Sequence, residues 1–498
     1  MQFTMSVNCK LIRRSLSYAS SLTKNRYPKL KRGPYGSVTD KNINEFEKIV
    51  GKQRVLTNFE DVQPYNEDFL KLVCGCSRVV VKPKTVEELS AIMKVCDRDR
   101  LAVCPQGGNT GLVGGSTPLF DEIIISMSLM NQILNIDSLA ETLSCEAGCV
   151  VEKVNLALEE HSLMLPHDLG SKGSCQIGGN ISTCAGGLRL LRYGSFQKNV
   201  LGLEVVMANG SILNCMNALK KDNTGYHLRQ LFIGSEGTLG IVTKAVIQCP
   251  VKPKSVNLSL LGLDSFSDTL KTMKLAKEYL SEIISSCEMM DLESMNVVTN
   301  KLGLKPPLDP YNFYMLIESH GSNEKHDSEK MSAFLDEAMK QNIVKDGITA
   351  SEPSRIANLW QYREKAGIAL VKDAILYQYD ISLPVNENFY EIINELRERL
   401  KTMNNVCDIT GFAHLGDGNL HVNVTSKEYD QAIIDSLEPF VFERVAIRKG
   451  SISAEHGIGF KKTEFLKYSK TMEAIATMKM IKEKLDPKGI LNPYKVLM

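Results

Sequence analysis

Apolar and polar positions alternate along this chain with two different spacings, and the balance between them changes near residue 250. From residue 73 onward, short apolar runs bounded by glycine-rich loops dominate. Val79-Val80-Val81 predicts a strand, because β-branched side chains suit a pleated backbone. TVEELSAIMKVC (85–96) predicts a helix, with apolar residues at helical spacing and Thr85 and Glu88 placed as a capping box. LAVC (101–104), IIISMS (123–128) and LSCEAG (143–148) predict strands, and VEKVNLALEEH (151–161) a helix. In LGLEVVMANGSIL (201–213) two strands are predicted to turn at Asn209-Gly210. Beyond Pro250 the glycine clusters stop. SFSDTLKTMKLAKEYL (265–280), SEKMSAFLDEAMK (328–340), LWQYREKAGIALVKD (359–373), ENFYEIINELRERL (387–400) and the stretch 428–447 predict amphipathic helices. Between them YNFYMLIESH (311–320), ILYQYDISL (375–383) and HVNV (421–424) predict strands, which makes an α+β unit. Residues 40–60 predict a polar helical stretch. The expected blocks are 65–250, 251–480 and a closing segment 481–498.

Composition narrows the function classes. A chain of 498 residues exceeds one compact core, so two or three domains are expected. The net charge of +1 gives no electrostatic reason to bind nucleic acid or an anionic membrane surface. No apolar run approaches the ~20 residues of a membrane span. The 13 cysteines include no CxxC, which argues against an iron–sulfur cluster or zinc ribbon and for a reducing compartment. Before Asp40 there is no acidic residue, while Lys10, Arg13, Arg14, Lys24, Arg26, Lys29, Lys31 and Arg32 are interspersed with serines. Residues 1–40 therefore predict a mitochondrial transit peptide, the plainer alternative being a disordered basic tail.

GFAHLGDGNLHVNV (411–424) carries the first candidate chemistry. Phe412 and His414 share strand parity, as do His421 and Asn423, while Leu420, Val422 and Val424 take the other face. A turn at Leu415–Asn419 would fold the stretch into a hairpin with both imidazoles on one face, as a metal site requires. Two unrelated histidines beside an ordinary turn remain the alternative. Three glycine-rich stretches carry the second signal: PQGGNTGLVGGS (105–116), GSKGSCQIGGNISTCAGGLRLLRYG (170–194) and GSEGTLGIVT (234–243). Glycine lets backbone amides approach an anion closely. Neither the dinucleotide order G-x-G-x-x-G nor a P-loop Gly-Lys-Ser/Thr is present. Each stretch alone could be a tight turn, but one extended ligand with a diphosphate would need several such approaches.

Together with SAEHGIG (453–459) and LDPKGILNPYK (485–495), these segments resemble the vanillyl-alcohol-oxidase-type flavoproteins, in particular their D-2-hydroxyacid dehydrogenase branch. The resemblance runs from about residue 60 to the C-terminus. It implies an FAD-binding domain of two subdomains, then an α+β substrate domain with an antiparallel sheet, and a C-terminal tail returning to the flavin. Pro105, Gly107, Gly108, Asn109, Thr110 and Gly111 match the diphosphate loop. Ser174, Gly178, Asn180 and Gly186 match flavin-lining positions, Ile241 an adenine contact and Asn492 a closing contact. No histidine occurs in the first loop, so noncovalent FAD is expected.

The resemblance also implies a divalent metal, zinc or another, on His414, His421 and Glu455. A D-2-hydroxy acid would chelate it, with His456 as base for the hydroxyl proton and the Cα hydrogen passing as hydride to flavin N5. Arg363 and Asn423 match substrate-contacting positions. Two positions depart from the members acting on 2-hydroxyglutarate: Gly367 stands where they carry threonine, and Gln378 where they carry lysine. Losing a cation there removes a charge-assisted bond worth roughly 1.5–3 kcal/mol. D-2-hydroxyglutarate is the leading substrate implied and D-lactate the alternative; a flavin-binding scaffold without turnover is the alternative of another class. The expected partners are a small D-2-hydroxy acid and an acceptor protein, electron-transfer flavoprotein, in the mitochondrial matrix, with a homodimer as the assembly considered.

Overall fold

The structure, a computed structural model, describes residue 27 and residues 30–497. The segment assigned to a transit peptide lies for the most part outside the described residues. Strands β1 (Val55–Leu56), β2 (Val80–Val81), β3 (Val103–Gln106) and β4 (Ile123–Ser126) make a sheet of order β1-β2-β4-β3. It is parallel from β2 through β4 to β3, with β1 antiparallel at the edge. Strands β5 (Ile133–Asp137), β6 (Thr142–Glu146), β7 (Val200–Val206), β8 (Ile212–Cys215) and β9 (Ile241–Gln248) form an antiparallel sheet of order β5-β6-β9-β7-β8. Both sheets share one apolar core, which includes Ile490 and Leu491 of the tail. The tail reaches back through Asn492 N–H, which donates to Val103 O at 2.8 Å.

The remaining strands are β10 (Ser255–Leu263), β11 (Ile284–Asp291), β12 (Phe313–Gly321), β13 (Asp346–Ala350), β14 (Ile375–Ser382), β15 (Val406–His414) and β16 (Asn419–Ser426). They build one antiparallel sheet of order β13-β10-β12-β11-β15-β16-β14. One face buries a core containing Met289, Ala413, Leu420, Val422 and Val424; the other packs Met290, Leu316, Leu376 and Phe412. The predicted parity of the hairpin follows from this register: Phe412 lies opposite His421 and Ala413 opposite Leu420. Strands β10, β11 and β13 go beyond the pattern read from the sequence. β10 and β11 are covered on both faces, so their polarity does not alternate.

Local signals are mixed in their outcome. Thr85 caps the helix Val86–Arg98 by accepting the Glu88 N–H at 3.2 Å. The Glu88 carboxylate pairs with Arg54 at 2.6 Å and accepts the Lys84 N–H at 2.7 Å. Gly210 takes φ +80° in the predicted turn between β7 and β8. The stretch 359–373 is two helices, Pro353–Glu364 and Ala366–Val371, rather than one.

Candidate active site

A cleft runs between the glycine loops and reaches His456. Pro105, Gly107, Gly108, Asn109, Thr110, Gly111, Gly178, Asn180 and Ile241, all expected at the cofactor, line it. Gly111 and Gly179 have nothing within 4 Å of where a Cβ would start, so their backbone is open to the cleft. Gln176 Oε1 lines the same cleft, buried and with no hydrogen-bond partner among the described residues. A cradle of bare backbone with an orphaned acceptor fits an extended dinucleotide.

Three further positions expected at the cofactor, Ser174, Gly186 and Asn492, are not among the residues that line the cleft. The Ser174 carbonyl underlies Gly108, where a Cβ would approach it to 2.1 Å. Gly186 packs against Glu455, leaving 2.7 Å between a notional Cβ and Oε2. Asn492 Nδ2 donates to the carbonyls of Gly115 (2.9 Å) and Glu236 (2.7 Å), so it ties two loops together.

At the inner end of the cleft, the hairpin β15–β16 and the loop after Gly450 meet. Glu455 Oε1 lies 3.5 Å from His421 Nε2, 3.6 Å from His414 Nε2 and 3.9 Å from His456 Nε2. The rings of His414 and His421 are 5.3 Å apart. A tetrahedral ion with ligands at about 2.1 Å separates neighbouring ligand atoms by about 3.4 Å. Glu455 Oε1 keeps about that spacing from the Nε2 atoms of both His414 and His421, while the groups among the described residues whose ligand atoms all lie within 4.8 Å of one another are Asp380, His421, Glu455 and His456. Asp380 offers an oxygen within 4.8 Å of His421, Glu455 and His456 and is also bonded to the loop. Its Oδ2 accepts backbone N–H groups of Ala454, Glu455 and His456 at 3.0, 2.9 and 2.8 Å, and Oδ1 accepts Asn419 Nδ2 at 2.8 Å. Asp380 thereby shapes the loop, while its Oδ1 still faces the cluster.

Electrostatics separate the imidazoles. Burial pulls His414 down, but Glu288, 2.8 Å from Nδ1, outweighs it and pushes the pKa up to about 10. His421 is pushed down to about 3 by burial, which Glu455 and Asp380 only partly offset. Burial pulls Glu455 up, yet the hydrogen bond and charge of His414 bring it down to about 2. Of these three imidazoles His456 is the most open, with an 18% exposed side chain, and among the described residues it is the one that lines the cleft.

The predicted substrate contacts divide. Arg363 is buried beside His414, its guanidinium 4.5 Å above the Phe412 ring and its Nε 2.9 Å from Glu288. Gln378 donates to Asn423 Oδ1 at 3.0 Å, cross-strand on the face of His421. Gly367 sits on the helix Ala366–Val371 with nothing within 4 Å of a notional Cβ.

Sequence reasoning missed the carboxylates that assemble the site. Glu288 faces His414 and Asp380 faces His421 across adjacent strands. Glu236, from the third glycine loop, accepts N–H bonds of Ile458 and Gly459, both at 2.7 Å. The second loop supplies Gly187 N–H, which donates to Glu455 Oε2 at 2.9 Å. Farther along, Arg189 spans Asp168 (2.7 Å) and Glu318 (3.1 Å), joining the glycine-loop region to the large sheet. For Glu288 and Asp380 the available signal is an acid within a strand of mostly uncharged residues, since buried charges need partners.

Comparison with known proteins fits this picture. Residues 77–216 match the model for an FAD binding domain, and residues 252–496 that for the C-terminal domain of FAD linked oxidases. The mitochondrial D-2-hydroxyglutarate dehydrogenase of Bos taurus is 48% identical, over 96% of this chain and 87% of its own length. That of Danio rerio is 50% identical, over 94% and 87%. The fold is shared with p-cresol methylhydroxylase, at 15% identity and TM-score 0.73, covering 92% of this chain and 96% of that one. With half or nearly half of the residues identical along almost its whole length, the chain belongs to the D-2-hydroxyglutarate dehydrogenase family of FAD-linked oxidases.

Proposed function

We propose that the protein oxidises D-2-hydroxyglutarate to 2-oxoglutarate in the mitochondrial matrix, using noncovalently held FAD and a divalent metal such as zinc. The carrying observation is the convergence of three imidazole Nε2 atoms on Glu455 Oε1 at the inner end of the glycine-lined cleft. FAD in the cleft supplies the hydride acceptor. A metal held by His414, His421 and Glu455 supplies Lewis acidity at the substrate hydroxyl. His456, the open imidazole lining the cleft, takes the hydroxyl proton. Arg363 offers its guanidinium edge to the α-carboxylate, held in place by Glu288 and Phe412. Asn423 and Gln378 present amide groups to the distal end of the substrate. Beyond His456 a second cavity is lined by Gln378, Lys461 and Lys462, which makes room for a longer diacid. Without a nicotinamide fingerprint or cluster cysteines, an external acceptor is required, and electron-transfer flavoprotein is the one proposed. The division at residues 65–250, 251–480 and 481–498 belongs to the same proposal.

The test is the flavin absorbance of the purified protein, made anaerobic and mixed with D-2-hydroxyglutarate. Rapid bleaching supports the reaction. Bleaching by D-lactate alone supports the second reading, which the neutral Gln378–Asn423 pair and the bare Gly367 favour. A yellow protein that bleaches with neither would make it a scaffold.

A further inference from the structure

We infer that Glu288 is a positioning residue, which holds the metal ligand His414 and the substrate-binding Arg363 in mutual register. The inference rests on the metal reading above. Glu288 is 1% exposed, and its register partner on β15 is His414. Its two oxygens lie 2.9 and 2.8 Å from His414 Nδ1. A carboxylate at that point holds the ring proton on Nδ1, so that Nε2, facing Glu455, is the nitrogen left to a metal that displaces its proton. The same carboxylate lies 2.9 Å from Arg363 Nε, on the helix Pro353–Glu364. Arg363 in turn stacks on Phe412, two residues before His414 on the same strand. One buried carboxylate thus joins β11, β15 and that helix at the atoms that would meet metal and substrate.

A merely structural ion pair would affect stability and leave metal affinity alone. The experiment is therefore zinc affinity, measured by competition with a chromophoric chelator on the full FAD-containing protein, for wild type and Glu288→Gln. Flavin content serves as the folding control, and KM and kcat are measured alongside. An amide can accept the Nδ1 proton but brings no charge. A 10–100-fold loss of zinc affinity with flavin retained is expected, together with a raised KM. Unchanged zinc affinity in a flavin-loaded variant overturns the inference. If Glu288→Gln loses flavin, Glu288→Asp decides instead. Its carboxylate is drawn back by about 1.5 Å and should weaken zinc binding several-fold. Wild-type protein that binds no zinc overturns the metal reading itself and this inference with it.

Discussion

Replacing Gly186 with alanine probes a position expected at the flavin that the structure packs against Glu455. The new Cβ would stand 2.7 Å from Glu455 Oε2 and 3.3 Å from its Cβ. Nonbonded heavy atoms prefer about 3.5 Å, so the carboxylate must retreat by roughly 0.8 Å. The retreat stretches the 2.9 Å bond from Gly187 N–H, a charge-assisted bond worth roughly 1.5–3 kcal/mol. Because Oε1 moves with Oε2, its 3.5 and 3.6 Å distances to the histidines change too. Gly186 does not have a positive φ, so alanine adds no backbone strain that would confuse the result. Zinc content and flavin absorbance are the two readouts, after dialysis against a weak chelator. Zinc affinity should fall about 10–100-fold, with turnover following it, while FAD remains at one per chain. A variant that loses FAD and keeps its zinc affinity would refute the placement. So would one in which neither changes.

Three other outcomes follow from the same geometry. Arg189→Met should destabilise the fold by roughly 1.5–3 kcal/mol in urea unfolding, because it removes the cation between the buried Glu318 and the half-buried Asp168, which keep Trp360, Ser285, His320 and Lys172 as partners; a loss below about 1 kcal/mol would show the network to be dispensable. His167, stacked on Phe196 with burial lowering its pKa to about 4, must stay neutral in the fold. A depressed histidine stabilises above its ordinary pKa and loses that contribution as pH falls, about 2 kcal/mol between pH 7 and pH 5. His167→Gln should flatten that part of the stability profile, and an unchanged slope would assign the acid sensitivity elsewhere. Gln378→Lys should lower KM for D-2-hydroxyglutarate about tenfold and leave KM for D-lactate in place; an equal effect on both substrates would remove position 378 from the distal carboxylate.

The hairpin bearing His414 and His421 is legible in the sequence because its signals are local: a period of two and a Gly-rich turn fix which side chains share a face. The glycine loops are legible for a related reason, since only bare backbone tolerates so close an approach to a large anion. Glu288 and Asp380 are legible only as anomalies. Each is an acid within a strand of mostly uncharged residues, and burying it unpaired would be costly, so a partner can be deduced to exist. Which partner depends on register. Glu288 meets His414 because β11 pairs with β15 although more than a hundred residues separate them, and no local pattern encodes that pairing. Gly186 shows the converse. Its conformation is ordinary, and its need for hydrogen in place of a side chain comes from a carboxylate 269 positions away in the chain, at Glu455. Sequence motifs thus predict which backbone can approach a ligand, while assembly of the site rests on carboxylates whose partners only the tertiary fold supplies. Those partnerships are where substitutions would separate cofactor binding from metal binding.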